Sequence, residues 1–395
     1  MEIKELLTKY KDYGIELRRH FHMYPEAALK EYKTSARIEE ELKKMGLEPV
    51  RIIETGIICD IKGKNPGKTI ALRADIDALE LNDTIDKDYC SKIDGMKHGC
   101  GHDGHAASLL QAAQVLNELK GEFDGTVRLL FQPAEEVAEG AKRLMAAGAL
   151  DGCDGIFGLH LWNETPVGKI DMAPGTRMAS AGIFKITVTG KGGHGSLPHQ
   201  GVDAVLAGSA VVMALQSAVS RELSPYEPAV LTVGSFKAGS RFNIIAQEAE
   251  MEGTTRCFSY EINDSFEGIM QRIIEQTAAA YRATGVLDYK DLVLPTINNP
   301  QMAEIGIKGI AKTFGQEALI AMPPVMGGED FSFYAKKLPI AFAFVGSANP
   351  SKLETFPHHH PSFDVDEDSL YYAAGTYVSY ALEFLRSDIT PAMDK

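Results

Sequence analysis

The sequence predicts an α/β chain in which a mixed, mostly parallel sheet flanked by helices is interrupted by a smaller inserted α+β domain. Three observations carry this reading. The apolar runs TIALRAD (Thr69–Asp75), TVRLLFQ (Thr126–Gln132) and GIFGLH (Gly155–His160) alternate with helix-like segments, the wiring of parallel strands buried on both faces. From about Ala181 to Val293 the pattern changes: Phe184, Ile186 and Val188 alternate with Lys185, Thr187 and Thr189, as in a strand with one solvated face. From Thr296 onward the α/β character returns.

Taken in order, Ile3, Leu6, Leu7, Tyr10 and Leu17 recur at helical spacing and predict an amphipathic surface helix, followed by a second helix from Thr34 to Met45. Helices over about Ala106–Leu119 and Ala138–Ala147 separate the three apolar strands. Within the insert, a strand around Phe184–Thr189 leads to a helix at Val202–Val219. Strands at Ala229–Phe236 and Ala249–Phe258, a helix near Ser265–Thr284 and a strand near Tyr289–Leu294 follow. That order, β-α-β-β-α-β, is the ferredoxin-like one. A helix at Met302–Phe314, the strand IAFAFVG (Ile340–Gly346) and a helix at Ser369–Leu385 complete the chain. The first domain is therefore discontinuous, residues 1–180 plus 294–395, around an insert of 181–293. Two domains also suit 395 residues, more than one core usually serves.

Composition narrows the function. With 45% hydrophobic and 24% charged residues the chain is a folding one. A formal charge of −14, from 40 basic and 54 acidic side chains, gives no footprint for nucleic acid or an anionic membrane and favours a small-molecule substrate. Five scattered cysteines are not a disulfide framework. The charged start MEIKELLTKYKDYGIELRRH has no signal-peptide core, and no uninterrupted apolar run reaches the roughly 18 residues of a membrane span. The expectation is a cytoplasmic protein in a reducing compartment.

Four segments bear chemistry. HGCGHDGH (His98–His105) packs a cysteine, three histidines and an aspartate just before a helix, and its glycines let Cys100 and His102 aim at one point. On its own it reads equally as a Gly-rich turn with capping groups. In QPAEE (Gln132–Glu136), a buried strand ends at two glutamates that extended backbone points in different directions, one toward a metal and one toward its water. A solvated loop end explains such a pair more often. His160 closes a strand, where a hydrogen-bonded structural role is the commoner one, and PHHHPSF (Pro357–Phe363) follows the last strand as a solvated loop or a metal binder. Their conjunction decides. Four groups near carboxyl ends of predicted strands supply N, O and S donors for two ions about 3.5–4 Å apart.

Nearly the whole chain resembles the amidohydrolase branch of the M20 metallopeptidase family, which includes N-acyl-amino-acid deacylases, indole-acetyl-amino-acid hydrolases and hippurate hydrolases. The matching motifs are RRHFHMYPE (Arg18–Glu26), LRADIDAL (Leu72–Leu79), HGCGHDGH, FQPAEE (Phe131–Glu136), GLH (Gly158–His160), GKGGHGSLPHQGVDA (Gly190–Ala204), Asn243 before two isoleucines, GTTR (Gly253–Arg256), GGEDFSFY (Gly327–Tyr334) and HHPSF (His359–Phe363). The resemblance implies a zinc-exopeptidase-like catalytic domain with the insert as lid and dimerisation domain. It implies Cys100, His102, Glu136, His160 and His359 as ligands of two divalent ions, zinc or manganese first, cobalt or nickel next. Glu135 is then the general acid/base acting on the metal-activated water, and Asp77 an orienting carboxylate. His194 stabilises the oxyanion, and Asn243 and Arg256 contact substrate. The implied reaction is hydrolysis of N-acyl amino acids, with a metallo-dipeptidase or carboxypeptidase as the alternative, in a homodimer joined through the insert. Gly99 stands where alanine is usual, AALKEY follows Pro25-Glu26 where glycine and phenylalanine are commoner, and Ala246 replaces a common proline. None of these removes a ligand; they bear on lid and pocket shape.

Overall fold

The computed structural model describes residues 2–388; Met1 and 389–395, which the expected first domain also spans, lie outside the described residues. The chain divides into two compact units. One comprises Met1–Arg177, Ile297–Pro323 and Asp330–Lys395, the other Met178–Thr296 and Pro324–Glu329. The segment Pro324–Glu329 thus belongs to the second unit, whereas the expected boundaries leave it with the first.

In the first unit an eight-stranded sheet has the order Val50–Arg51, Ile57–Lys62, Thr126–Gln132, Thr69–Asp75, Gly155–Pro166, Ile340–Ala348, Ile170–Asp171, Leu319–Ile320. The four central strands are parallel neighbours, as their apolar runs predict. Ile57–Lys62 joins them antiparallel, a strand absent from the sequence-based expectations. Along the strand Thr69–Asp75, Ile70, Leu72 and Ala74 enter the core formed with helices His102–Leu119 and Asp368–Arg386. Arg73 and Asp75, also buried, point to the opposite face.

Several expected boundaries move: in the insert the helix expected near Ser265–Thr284 is Tyr260–Ala280 and the strand expected near Tyr289–Leu294 is Thr284–Val293, and two shifts in the first unit matter for the site. The helix begins at His102 instead of Ala106, because Gly101, in the left-handed region at φ 92°, ends the loop and starts the helix directly. The strand from Gly155 does not close at His160 but runs to Pro166, since Leu161, Trp162 and Pro166 continue to pair with Val345, Gly346 and Ala348. Its polar stretch NETP hid that extension from the sequence. The opening helix is two helices, Ile3–Lys9 and Lys11–Met23, and Leu6, Leu7 and Leu17 are buried rather than at a surface.

The Arg18–Glu26 motif is anchored below the loop that carries Cys100. Arg18, fully buried, donates to Asp103 at 2.9 Å and Asp364 at 2.6 Å. His22 lies between Asp103 (2.7 Å) and Asp83 (3.1 Å), and Lys97 reaches Asp83 at 2.5 Å. Burial by itself would raise Asp103, but Arg18 and then His22 hold it well below the usual carboxylate range. Burial and Arg18 would both lower His22; the charge and hydrogen bond of Asp103, together with the hydrogen bond to Asp83, outweigh them and leave the imidazole raised.

The second unit is a four-stranded antiparallel sheet in the order Ala229–Ala238, Glu248–Cys257, Ala181–Thr189, Thr284–Val293. Phe184, Ile186 and Val188 pack against helices Ala204–Ser217 and Tyr260–Ala280, while Lys185 stays exposed, so the period-two pattern is one of burial. A two-residue ribbon pairs Gly193–His194 with Ile244–Ile245. The segment Ala204–Glu222 is long and apolar enough, by length and composition, to cross a membrane, although Gly208, Ser209 and Gln216 interrupt its apolar run. Ala204, Ala207, Val211 and Leu215 bury one side of it against the sheet.

Arg18→Met is expected to destabilise the fold by about 3–5 kcal/mol in urea unfolding, because it leaves Asp103 and Asp364 buried without their cation. The pH dependence has a defined sign. Asp103 contributes stability above its unfolded pKa of about 4 and loses it as pH falls, whereas the His22 contribution is complete below about 6.5 and fades as pH rises through its raised folded value. The urea midpoint of the wild-type chain should therefore fall on acidification below about pH 4.

Candidate metal centre

Cys100, His102, His160, Glu136 and His359 come together in the first unit. Cys100, His102 and His160 offer donor atoms within 4.8 Å of one another, and so do Cys100, Glu136 and His359. Cys100 is common to both sets. His102, Glu135 and Glu136 form a third such group, so Glu135 borders the same space.

Each side chain is aimed by its local backbone. His102 opens its helix, and its Nδ1 faces the Asp77 carbonyl oxygen at 3.0 Å and the Asp77 carboxylate at 3.3 Å. The same carboxylate accepts the Glu136 backbone N–H at 3.0 Å. Asp77 therefore orients two of the five residues at once, and His102 Nε2 is left buried with no protein hydrogen-bond partner. Beyond the strand ending at Gln132, Ala134 adopts the left-handed conformation at φ 57° and donates its N–H to Glu31. That turn separates the directions of Glu135 and Glu136. Glu135 Oε1 accepts the Asp330 backbone N–H at 3.3 Å.

His160 donates from Nδ1 to the Leu161 carbonyl at 2.7 Å, which turns Nε2 toward Cys100 Sγ, 3.4 Å away. In the histidine run the three rings diverge. His358, half-buried, packs against Trp162 with centroids 4.6 Å apart, and His360 stacks on Phe356 at 4.7 Å. His359, left-handed at φ 64°, is bound through its N–H to the Gly99 carbonyl, and its Nε2 lies 3.6 Å from Glu136 Oε2.

The electrostatics suit a bound cation. Burial, reinforced by Glu136, raises the Cys100 thiol well above its usual value. Burial and then His105 push the His160 imidazole well down, and burial lowers His359. Burial would lower His102, but Asp75, Asp77 and Cys100 together outweigh it and leave the imidazole raised, so that ring gathers positive charge where a cation could replace the proton. The residues thus fit divalent metal: S, N and O donors converge from half-buried Cys100 and Glu136, buried His102 and His160 and exposed His359, and the His102 Nε2 is buried without a hydrogen-bond partner.

Two residues escaped the sequence reading. His105 donates or shares its Nδ1 proton with Asp75 at 2.5 Å, and its Nε2 accepts the Leu161 N–H at 2.9 Å. Both nitrogens are committed, so the nearby trio Asp75, His102 and His105 is a hydrogen-bonded group that steadies His160 from behind. The signal was the i, i+3 spacing of His102 and His105, visible only once the helix is started at His102.

His194 and Asn243 meet in the second unit. His194 pairs with Ile244, Gly195 donates to the Asn243 carbonyl at 2.9 Å, and both side chains are exposed. A Cβ on Gly195 would come within 3.0 Å of that carbonyl, so glycine permits the close ribbon. Ser196 Oγ lies 2.8 Å from His194 Nδ1. Arg256 is not brought to this ribbon. It sits near the far end of the strand Glu248–Cys257, about 27 Å of extended chain beyond Glu248, and its guanidinium donates to the Thr255 carbonyl.

Residues 71–383 match the family described as Peptidase family M20/M25/M40. The chain is 37% identical to N-acetylcysteine deacetylase of Bacillus subtilis, over 94% of this chain and 97% of the relative. It is 36% identical to thermostable carboxypeptidase 1 of Saccharolobus solfataricus, over 97% and 98%. The crystal structure of Bacillus subtilis YxeP, described as a dinuclear metal binding peptidase from the M20 family, superposes with a TM-score of 0.85 at 33% identity, covering 96% of this chain and 99% of that one. With its mixed, mostly parallel sheet and its converging metal-type donors, the chain belongs to the M20 peptidase family and is a metal-dependent hydrolase of amide bonds.

Proposed function

We propose that the protein removes the acyl group from N-acyl amino acids, with Glu135 as general acid/base beside two divalent ions. The observation that carries the reading is the shared cysteine: two donor sets meet at Cys100, and Glu135 stands next to Glu136 at their edge. One ion would take Cys100, His102 and His160, the other Cys100, Glu136 and His359. The donor set suits zinc or manganese, with cobalt or nickel as further candidates. When bound, such ions lower the pKa of water and polarise the amide carbonyl.

The residues of the chain supply the remaining steps. Asp77 holds His102 and the Glu136 backbone in place. Glu135 takes a proton from the attacking water and returns it to the nitrogen of the leaving amino acid, so one carboxylate serves both halves of the reaction. His194, on its exposed ribbon, donates to the oxyanion, with the nearby Ser196 hydroxyl supporting its ring. Asn243 and Arg256 remain the candidates for substrate contact. The deacetylase relative supports an acyl amino acid substrate. The carboxypeptidase relative keeps a second reading alive, in which the same centre cleaves a C-terminal residue from a peptide.

We also propose a cytoplasmic homodimer built through residues 181–293. Five unpaired cysteines support a reducing location. In the second unit the edge strand Ala229–Ala238 and the helix Ala204–Ser217 expose Phe236, Leu206 and Met213, the last at 74%, a surface suited to a second copy. Sedimentation should give a dimer for the wild-type chain and a shift toward monomer for Met213→Glu.

Free-amine release from a pool of N-acyl amino acids and dipeptides tests the reaction. Release from the acyl amino acids should vanish on chelation, return with zinc or manganese, and fall by about 10²–10⁴-fold in kcat for Glu135→Gln with metal content unchanged. Release from dipeptides alone would move the assignment to the peptidase reading. Cys100→Ala should lower the metal content below two ions per chain.

A further inference from the structure

Asp330 belongs to the GGEDFSFY motif, which the chemistry above does not use, yet it touches the loop that carries Glu135 at three places. Its buried carboxylate accepts from the Gln132 side-chain amide at 2.6 Å, where the strand ends and the loop begins. It accepts from the Ala141 backbone N–H at 3.0 Å, where the loop ends and the helix Gly140–Ala146 has begun. Between these, its own backbone N–H donates to Glu135 Oε1 at 3.3 Å. One residue thus ties both ends of the loop together and holds the carboxylate in its middle.

The tie is itself immobilised. Arg73, fully buried, donates to Asp330 at 2.9 Å and to Asp75 at 2.7 Å, and its Nε reaches Gln132 Oε1 at 2.8 Å. The Tyr334 hydroxyl donates to the same Gln132 oxygen at 2.8 Å. A charge-assisted, fully desolvated set of this kind has few alternative arrangements, so the position of the Asp330 amide is transmitted to Glu135 with little slack. A purely structural ion pair would need the carboxylate's contacts with Arg73 and Gln132; it would not need the amide on Glu135.

We propose that Asp330 is a positioning residue for Glu135, setting the carboxylate where it exchanges protons with water and leaving amine. This rests on the reading of Glu135 as the general acid/base. Misplacement by about 1 Å can cost about 10²-fold in rate. Asp330→Asn puts an amide where the Ala141 N–H and the Gln132 amide need acceptors, and is expected to lower kcat by that order while KM stays within about twofold. Calorimetric titration with zinc should still count two ions per chain. The reciprocal exchange Asp330→Asn with Gln132→Glu restores the charge beside Arg73 and a donor-acceptor pair between the two positions, and should recover most of the lost kcat. Tyr334→Phe, which keeps the ring and loses one donor to Gln132, should lower kcat by a smaller factor, again with KM held, and serves if Asp330→Asn does not fold.

Glu135→Gln is run alongside. If it retains turnover, the general-base reading falls and the positioning role falls with it. If it is inactive while Asp330→Asn keeps the wild-type kcat, only the positioning role is overturned. A loss of kcat that merely tracks lost metal or lost folded protein, or an exchange variant that regains thermal stability without regaining kcat, would also overturn it.

Discussion

Desolvation is the constraint on which the rest of the structure depends. A thiol, imidazoles and carboxylates converge where there is little water to stabilise their charged forms, and the surroundings push the Cys100 thiol up and His160 down. The thiol and carboxylates held so close disfavour one another's ionised states unless a cation joins them. The scaffold must therefore keep them in place against that cost. Asp77 fixes His102, the Leu161 carbonyl fixes His160, and the Gly99 carbonyl fixes the backbone of His359. Ala134 and His359 sit in the left-handed region, so the chain accepts local strain at the turns that deliver these side chains, whereas Gly101 takes the same conformation without that cost.

Beneath the donors lies a second layer of buried charge. Arg73 links Asp75, Gln132 and Asp330, and Asp75 in turn holds His105 behind His160. On another flank Arg18, His22 and Lys97 hold Asp103, Asp364 and Asp83 around the loop that carries Cys100. Such networks are poor sources of net stability but restrict the arrangements a core can adopt. In this unit their value is geometric, since the metal-type donors tolerate little displacement.

Relatives named for deacetylation and for carboxypeptidase action match the chain at nearly equal identity over nearly its full length. Both reactions need an activated water, a proton carrier and a polarised carbonyl. On the proposed reading, the metal-type donors and Glu135 of the first unit would serve either case. Discrimination between an acyl amino acid and a peptide therefore rests on contacts with the remainder of the substrate, for which Asn243 and Arg256 were the candidates; they lie far apart along the second unit.

The amino-acid sequence by itself determined the α/β class, the β-α-β-β-α-β order of the insert and the segments that bear chemistry, because hydrophobic period and donor-rich motifs are local properties of the chain. It also placed Cys100, His102, Glu136 and Glu135 near strand ends. Tertiary structure alone decided where the strand through His160 ends, because its polar extension is held by pairing with Ile340–Ala348 rather than by its own propensity. It separated three consecutive histidines into a half-buried ring on Trp162, a ring on Phe356 and one facing Glu136, a choice in which Trp162 and Glu136 are distant in sequence. It also joined Asp330 to Gln132 and Ala141 across nearly two hundred residues of chain, a contact that no periodicity records.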